Sequence, residues 1–188
     1  MYVFIDTETG GLSPDYSLLT LAAAITDENF NVLDQMYFGI HAPVYCVTPE
    51  AMATNQINLA EHAKTALSVP AATARLREFL IHGAALTKRK KLVPAGHNVS
   101  FDIRFIHAQL MPEDEWREYC TYPALDTAGV ARFMIAANRI SGSCSLVALR
   151  ELFKIETGVA HNAQSDVLAS IALARCFVQM ANQGLANS

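Results

Sequence analysis

Two carboxylates stand two residues apart in Asp6-Thr-Glu8, directly after the short apolar run Tyr2-Val-Phe-Ile5. In an extended chain positions i and i+2 project to the same side, so Asp6 and Glu8 line up with Tyr2 and Phe4. Two acids at the end of a buried strand repel each other and are costly unless a cation neutralises them. A hard divalent ion with oxygen ligands is the natural partner, and an ordinary polar strand end is the plain alternative. Gly10-Gly11 then lets the backbone turn closely past whatever binds there.

Further acids fall in the middle and at the end of the chain. Asp102 closes Gly96-His-Asn-Val-Ser-Phe-Asp102, after an apolar strand and in the first turn of a helix. A negative charge there also complements the helix dipole, which is the bland account of it. His97 reads more readily as a packed, hydrogen-bonded histidine than as a ligand. His161 and Asp166 are five residues apart, about 140° around a helix, so they converge only if His161 precedes the helix or opens it. Asp126 reads as a cap for the helix beginning at Thr127. Each acid alone is unremarkable, but together they mark strand and helix ends where a cleft forms.

The elements that must position these groups follow from patterning. Tyr2–Ile5, Leu18–Thr26 and Val32–Ile40 read as three strands with short links, an antiparallel meander. Thr48-Pro49 and Ser68 with Pro70 open helices, the second carrying Leu76, Phe79 and Leu80 at helical spacing with Gly83 near its end. Leu92–Ala95 is a fourth strand, and Asn98 or Ser100 caps the helix after it. Pro123–Asp126 is a fifth strand, followed by helices over about 127–137, 145–153 and 162–180. The expected architecture is therefore α/β, a five-stranded mixed sheet flanked by helices, with one domain over 1–180 and a tail over 181–188.

The 188 residues carry 14 Lys plus Arg against 18 Asp plus Glu, a formal charge of −4. No net positive field points to nucleic acid, so phosphate handling must rest on local features. At 52% apolar residues the chain is neither a disordered tail nor a disulfide-stapled miniprotein. Its four cysteines have no zinc-ligand spacing, and no apolar run is long enough to span a membrane, so a cytoplasmic protein with reduced thiols is expected. Lys88-Arg-Lys-Lys91 reads as a solvated loop, with steering of a phosphate backbone as its functional alternative.

The ordered blocks Phe4-Ile-Asp6-Thr-Glu8-Thr-Gly-Gly-Leu12, Gly96 to Asp102, Leu125-Asp-Thr127 and His161-Asn-Ala-Gln-Ser-Asp166 resemble those of the DEDDh (DnaQ-like) exonucleases. These form a branch of the ribonuclease H-like superfamily that includes polymerase proofreading subunits. The resemblance implies a three-layer α/β/α ribonuclease H-like fold and a 3′→5′ exonuclease releasing nucleoside 5′-monophosphates from single-stranded DNA or RNA. It further implies that Asp6, Glu8, Asp102 and Asp166 hold two Mg²⁺, with Mn²⁺ able to substitute, and that His161 is the general base. Two ions add +4 and offset the four carboxylates, so the net −4 is no obstacle to binding a polyanion. The same pattern assigns the last nucleotide to backbone around Thr9 and Gly10, to Leu12 as an apolar wedge, and to Asn55, Asn98 and Phe101. Phe101 is equally at home in the core.

Two departures stand out. Thr-Gly-Gly replaces the Thr-Thr-Gly of many relatives, and Asn162 stands where Arg is common; both bear on substrate preference and neither touches a proposed metal ligand. A free-standing monomer or homodimer is expected, since little chain follows the last helix for polymerase association. The competing readings are a catalytically silent nucleic-acid or partner-binding module and a phosphohydrolase of small esters. Replacing Asp6 or Asp166 is expected to stabilise the metal-free protein by relieving repulsion.

Overall fold

The computed structural model describes residues 1–158 and 162–186, side chains of 184–186 excepted. A sheet of six strands, β1 (Tyr2–Thr9), β2 (Leu18–Thr26), β3 (Val32–His41), β4 (Leu67–Ser68), β5 (Val93–Gly96) and β6 (Leu125–Asp126), runs in the order β4-β3-β2-β1-β5-β6. The first three are the expected antiparallel meander, while β5 lies parallel to β1, β6 to β5 and β4 to β3. The sixth strand, β4, is only two residues long and gives no alternation from which to read it. The sheet is ribonuclease H-like in its mixed order.

Among the described residues eight helices complete the fold: α1 (Pro49–Asn55), α2 (Leu59–Thr65), α3 (Val69–Thr87), α4 (Ser100–Gln109), α5 (Glu113–Tyr119), α6 (Thr127–Ala136), α7 (Leu146–Phe153) and α8 (Ala163–Ala186). Thr48, Ser68, Asp126 and Ser145 cap α1, α3, α6 and α7 through their side-chain oxygens. α4 is different, because Val99 occupies its cap position with no side-chain hydrogen bond. Asn98 there adopts φ +62°. Its N–H donates instead to Asp126 Oδ1 at 2.8 Å, so neither Asn98 nor Ser100 caps this helix. α8 continues to Ala186, past residue 180.

The strand period sorts the core into two layers. Val3, Ile5, Leu21, Ala23 and Ile25 pack with Leu76, Phe79, Leu80, Phe105 and Trp116 on the α3–α4–α5 side. Phe4, Ala22, Ala24 and Ala95 face Ala163, Val167, Ile171 and Ala174 of α8 on the other. Small side chains on both surfaces let α8 lie close to the sheet, and α6 and α7 cover its outer side through Ala131, Leu149, Leu173 and Phe177. β2 is buried along its whole length, as a central strand covered on both faces must be.

Candidate active site

β1 pairs with β5 only through Tyr2, Val3 and Phe4, and β5 ends at Gly96. Asp6 to Thr9 therefore run on after their parallel neighbour has turned away, opening a cleft beside the strand. Because side chains alternate, Asp6 and Glu8 face α8, whereas Thr7 faces α4. Asp166 stands in the first turn of α8. One ligand oxygen or more from each of Asp6, Glu8 and Asp166 falls within 4.8 Å of the others. Asp102 comes from α4, on the other side of the strand, and its Oδ1 accepts a 2.6 Å hydrogen bond from Thr7 Oγ1. It lines the same cleft, about 180 Å³, with Asp6, Thr7, Glu8, His97, Asn98, Phe101 and Asp166, but stands outside the tight group of three.

Burial and mutual repulsion govern the protonation of these acids. Desolvation first, then the charges of Asp102, Asp166 and Glu8, hold the Asp6 carboxyl well above its usual range. Glu8 is raised to about 7, by burial and then by Asp166 and Asp102. Asp102 is also raised to about 7, chiefly by burial, against the opposing effect of the Thr7 hydrogen bond. An all-oxygen donor set that is costly to ionise without a counter-charge fits hard divalent cations such as Mg²⁺ or Mn²⁺.

Next to the acids lies an apolar groove of about 460 Å³, lined by Glu8, Thr9, Leu12, Tyr16, Asn55 and Phe101 among others. Leu12 is 85% exposed, at the mouth of that groove. Asn55 Nδ2 donates to the Thr9 carbonyl at 3.2 Å, and Thr9 Oγ1 donates to the Gly11 carbonyl at 2.7 Å, tying α1 and the turn to the strand end. Gly10 lines neither cavity. Its N–H is taken by Ser17 O and its carbonyl by Thr48 N, both at 2.7 Å. A Cβ on it would come 2.3 Å from Cys46 O, so the close approach this glycine permits is to the protein's own chain. Phe101 serves two surfaces, lining the groove while packing at a tilt against Phe105, 5.0 Å between centroids.

Other groups settle into structural work. His97 Nδ1 lies 3.0 Å from Thr127 Oγ1 and Nε2 lies 2.9 Å from Cys144 O. Asp126 Oδ1 accepts from the N–H groups of Asn98 and Ala128. Lys88–Lys91 leads into the start of β5, the opposite end of the sheet from the cleft, and Lys91 Nζ donates to Arg117 O. His161 lies outside the described residues; α8 begins two residues after it. Two contributors were not evident in the sequence. Gln109 receives Leu18 N–H and donates to Pro14 O and Tyr16 O, bracing the turn that walls the groove. Arg150 pairs with Asp166. Single polar residues on amphipathic helices carry no pattern that distinguishes them from solvated ones.

The family model for exonucleases of the ribonuclease T type matches residues 3–174. The chain belongs to this exonuclease family. Among curated relatives, the PolC-type DNA polymerase III of Pediococcus pentosaceus is 29% identical over 133 residues, covering 71% of this chain and 8% of the polymerase. Ribonuclease T of Histophilus somni is 26% identical over 151 residues, 77% of this chain and 69% of that enzyme. In fold, the chain matches E. coli exonuclease I in complex with a dT13 oligonucleotide, with a TM-score of 0.81 at 24% identity. That match covers 99% of this chain and 42% of exonuclease I. This exonuclease-family chain thus spans only a small part of the polymerase and less than half of exonuclease I.

Proposed function

We propose that this chain is a 3′→5′ exonuclease that hydrolyses the terminal phosphodiester of single-stranded nucleic acid, DNA by preference and RNA as a second substrate, releasing nucleoside 5′-monophosphates. The observation that carries the reading is the meeting of Asp6, Glu8 and Asp166 beside an apolar groove of nucleotide dimensions, within an exonuclease-family fold. The likeness to a DNA polymerase, a ribonuclease and an oligonucleotide-bound exonuclease supports a polymeric substrate.

Asp6, Glu8 and Asp166 would hold the divalent ions, with Asp102 contributing from the α4 side. Two such ions, if bound there, would supply positive charge for the scissile phosphate, the attacking water and the departing 3′ oxygen. His161 would accept the water's proton, a role suited to imidazole, whose reference pKa of about 6.5 leaves it mostly neutral at pH 7–8. Leu12 wedges against the terminal base, and Thr9, Asn55 and Phe101 line its pocket, with Asn98 beside the phosphate. Gly10 acts from behind, by letting the chain pack against Cys46. The protein works as a monomer or homodimer in cytoplasmic DNA repair or replication, or in RNA processing; among the described residues no helix is long and apolar enough to cross a membrane.

The test is a time course on 5′-labelled single-stranded DNA and RNA with Mg²⁺, Mn²⁺ or EDTA, beside His161→Ala. A metal-dependent ladder shortening from the 3′ end, lost in the variant, is the expected result and ranks the two polymers. Metal-dependent binding without cleavage of either strand would leave a silent nucleic-acid-binding module instead.

A further inference from the structure

Arg150, on α7, has no part in the roles above. Its Nη1 donates to Asp166 Oδ1 at 3.1 Å, and its Nη2 donates to the Gly158 carbonyl at 2.6 Å. The two side chains of this ion pair are 11% and 12% exposed, whereas every other ion pair among the described residues has both partners at least 28% exposed. The least hydrated ion pair therefore involves an acid of the central cluster.

The chain is shaped around this contact. Lys154 takes a left-handed conformation that ends α7 and turns the backbone toward α8. Gly158 sits at φ +93°, and a Cβ on it would lie 2.7 Å from Ser165 Oγ. Only glycine lets its carbonyl reach the guanidinium while lying against the first turn of α8. A planar guanidinium serves two acceptors in fixed directions, which an ammonium cannot.

We propose that Arg150 is a positioning residue for the metal-binding acids. It holds the Asp166 carboxylate in one orientation and ties the first turn of α8 to Gly158, three residues before His161 in the chain. Two effects of the guanidinium oppose each other, and their signs differ. As a positive charge it repels cations, so its removal would tighten metal binding. As a fork that orients a ligand, its removal loosens metal binding. The two short contacts and the shielding of the pair make orientation the larger effect.

The consequence for turnover rests on the exonuclease reading, while the consequence for metal affinity does not. The experiment measures Mn²⁺ affinity by calorimetry or electron paramagnetic resonance on the full chain, alongside kcat and KM on an oligonucleotide. Arg150→Met is expected to weaken Mn²⁺ binding about tenfold and to lower kcat roughly 10–100-fold with KM near the parent's. Arg150→Lys keeps the charge without the fork and recovers only part of each loss. Unchanged or tighter Mn²⁺ binding in Arg150→Met overturns the proposal, as does a lowered melting temperature with parental affinity. Should Arg150→Met fail to fold, parental Mn²⁺ affinity and kcat in Arg150→Lys overturn it. A parent that binds Mn²⁺ yet degrades no strand defeats the exonuclease reading alone, since the affinities still decide the role of Arg150.

Discussion

Thr7 and Asp102, 95 residues apart in sequence, are joined by a buried 2.6 Å hydrogen bond from hydroxyl to carboxylate. Thr7 stands between Asp6 and Glu8 but faces the opposite way, so one strand presents two acids to α8 and steadies a third from α4. The bond favours the ionised form of Asp102 and opposes the effect of burial.

Thr7→Val removes that donor while keeping the shape. Asp102 then holds its proton to higher pH, and the acidic limb of the activity profile moves to higher pH. Stability falls by about 1–3 kcal/mol, the range for a buried hydrogen bond to a charged group. A pH–rate series with parallel thermal melts checks both; an unmoved limb would show that Asp102 is not held by Thr7.

Without metal, Asp6, Glu8 and Asp102 all bind protons more tightly in the folded state than in the unfolded one. The stability this contributes is complete below the unfolded values near 4 and is lost as pH rises through about 7. In EDTA the melting temperature should drop by roughly 10 °C between pH 5 and pH 8, with Mg²⁺ restoring most of it. A flat profile in EDTA would contradict the burial of the acids.

Two substitutions within the cluster should differ in sign. Asp6→Asn removes repulsion and raises the metal-free melting temperature at pH 8 by roughly 3–6 °C while abolishing turnover. Asp166→Asn abolishes turnover too, but lowers the melting temperature, because it leaves the Arg150 guanidinium shielded and short of its counter-charge. Relief of repulsion alone would stabilise both, and the ion pair is what separates them. Calorimetric melts of the two variants in EDTA decide the matter.

Leu12→Ala should leave the melting temperature within about 1 °C, since the side chain is 85% exposed and fills no core. KM for an oligonucleotide should rise several-fold with kcat less affected. An unchanged KM would remove Leu12 from the substrate groove.

The alternation of Asp6 and Glu8 was legible because a strand has an obligatory period of two, and the caps Thr48, Ser68 and Asp126 because they precede helical runs. α8 starts at Ala163, and the convergence of His161 with Asp166 falls on a residue outside the described ones. Other parts had no local signature. α2 buries no residue fully and α5 buries only Trp116, so neither shows an apolar stripe in seven residues. The continuation of β1 through Thr9 depends on burial of Thr7 and Thr9 by distant elements, which their polarity conceals. Arg150 was invisible for a similar reason: its partners lie in the loop after α7 and in the next helix, beyond the reach of any local pattern.

The overhanging end of β1 also depends on the far end of the chain for its third acid. Asp6 leaves the ribosome about 160 residues before Asp166, roughly 8–32 s at ordinary rates of synthesis. Throughout that interval the nascent chain lacks Asp166 and cannot complete the acidic cluster. α8 supplies both the missing carboxylate and the apolar surface that covers Phe4, Ala22 and Ala24. An acidic cluster built this way stays incomplete while the chain is being made, and a proteolytic cut ahead of α8 that frees the helix would dismantle it again.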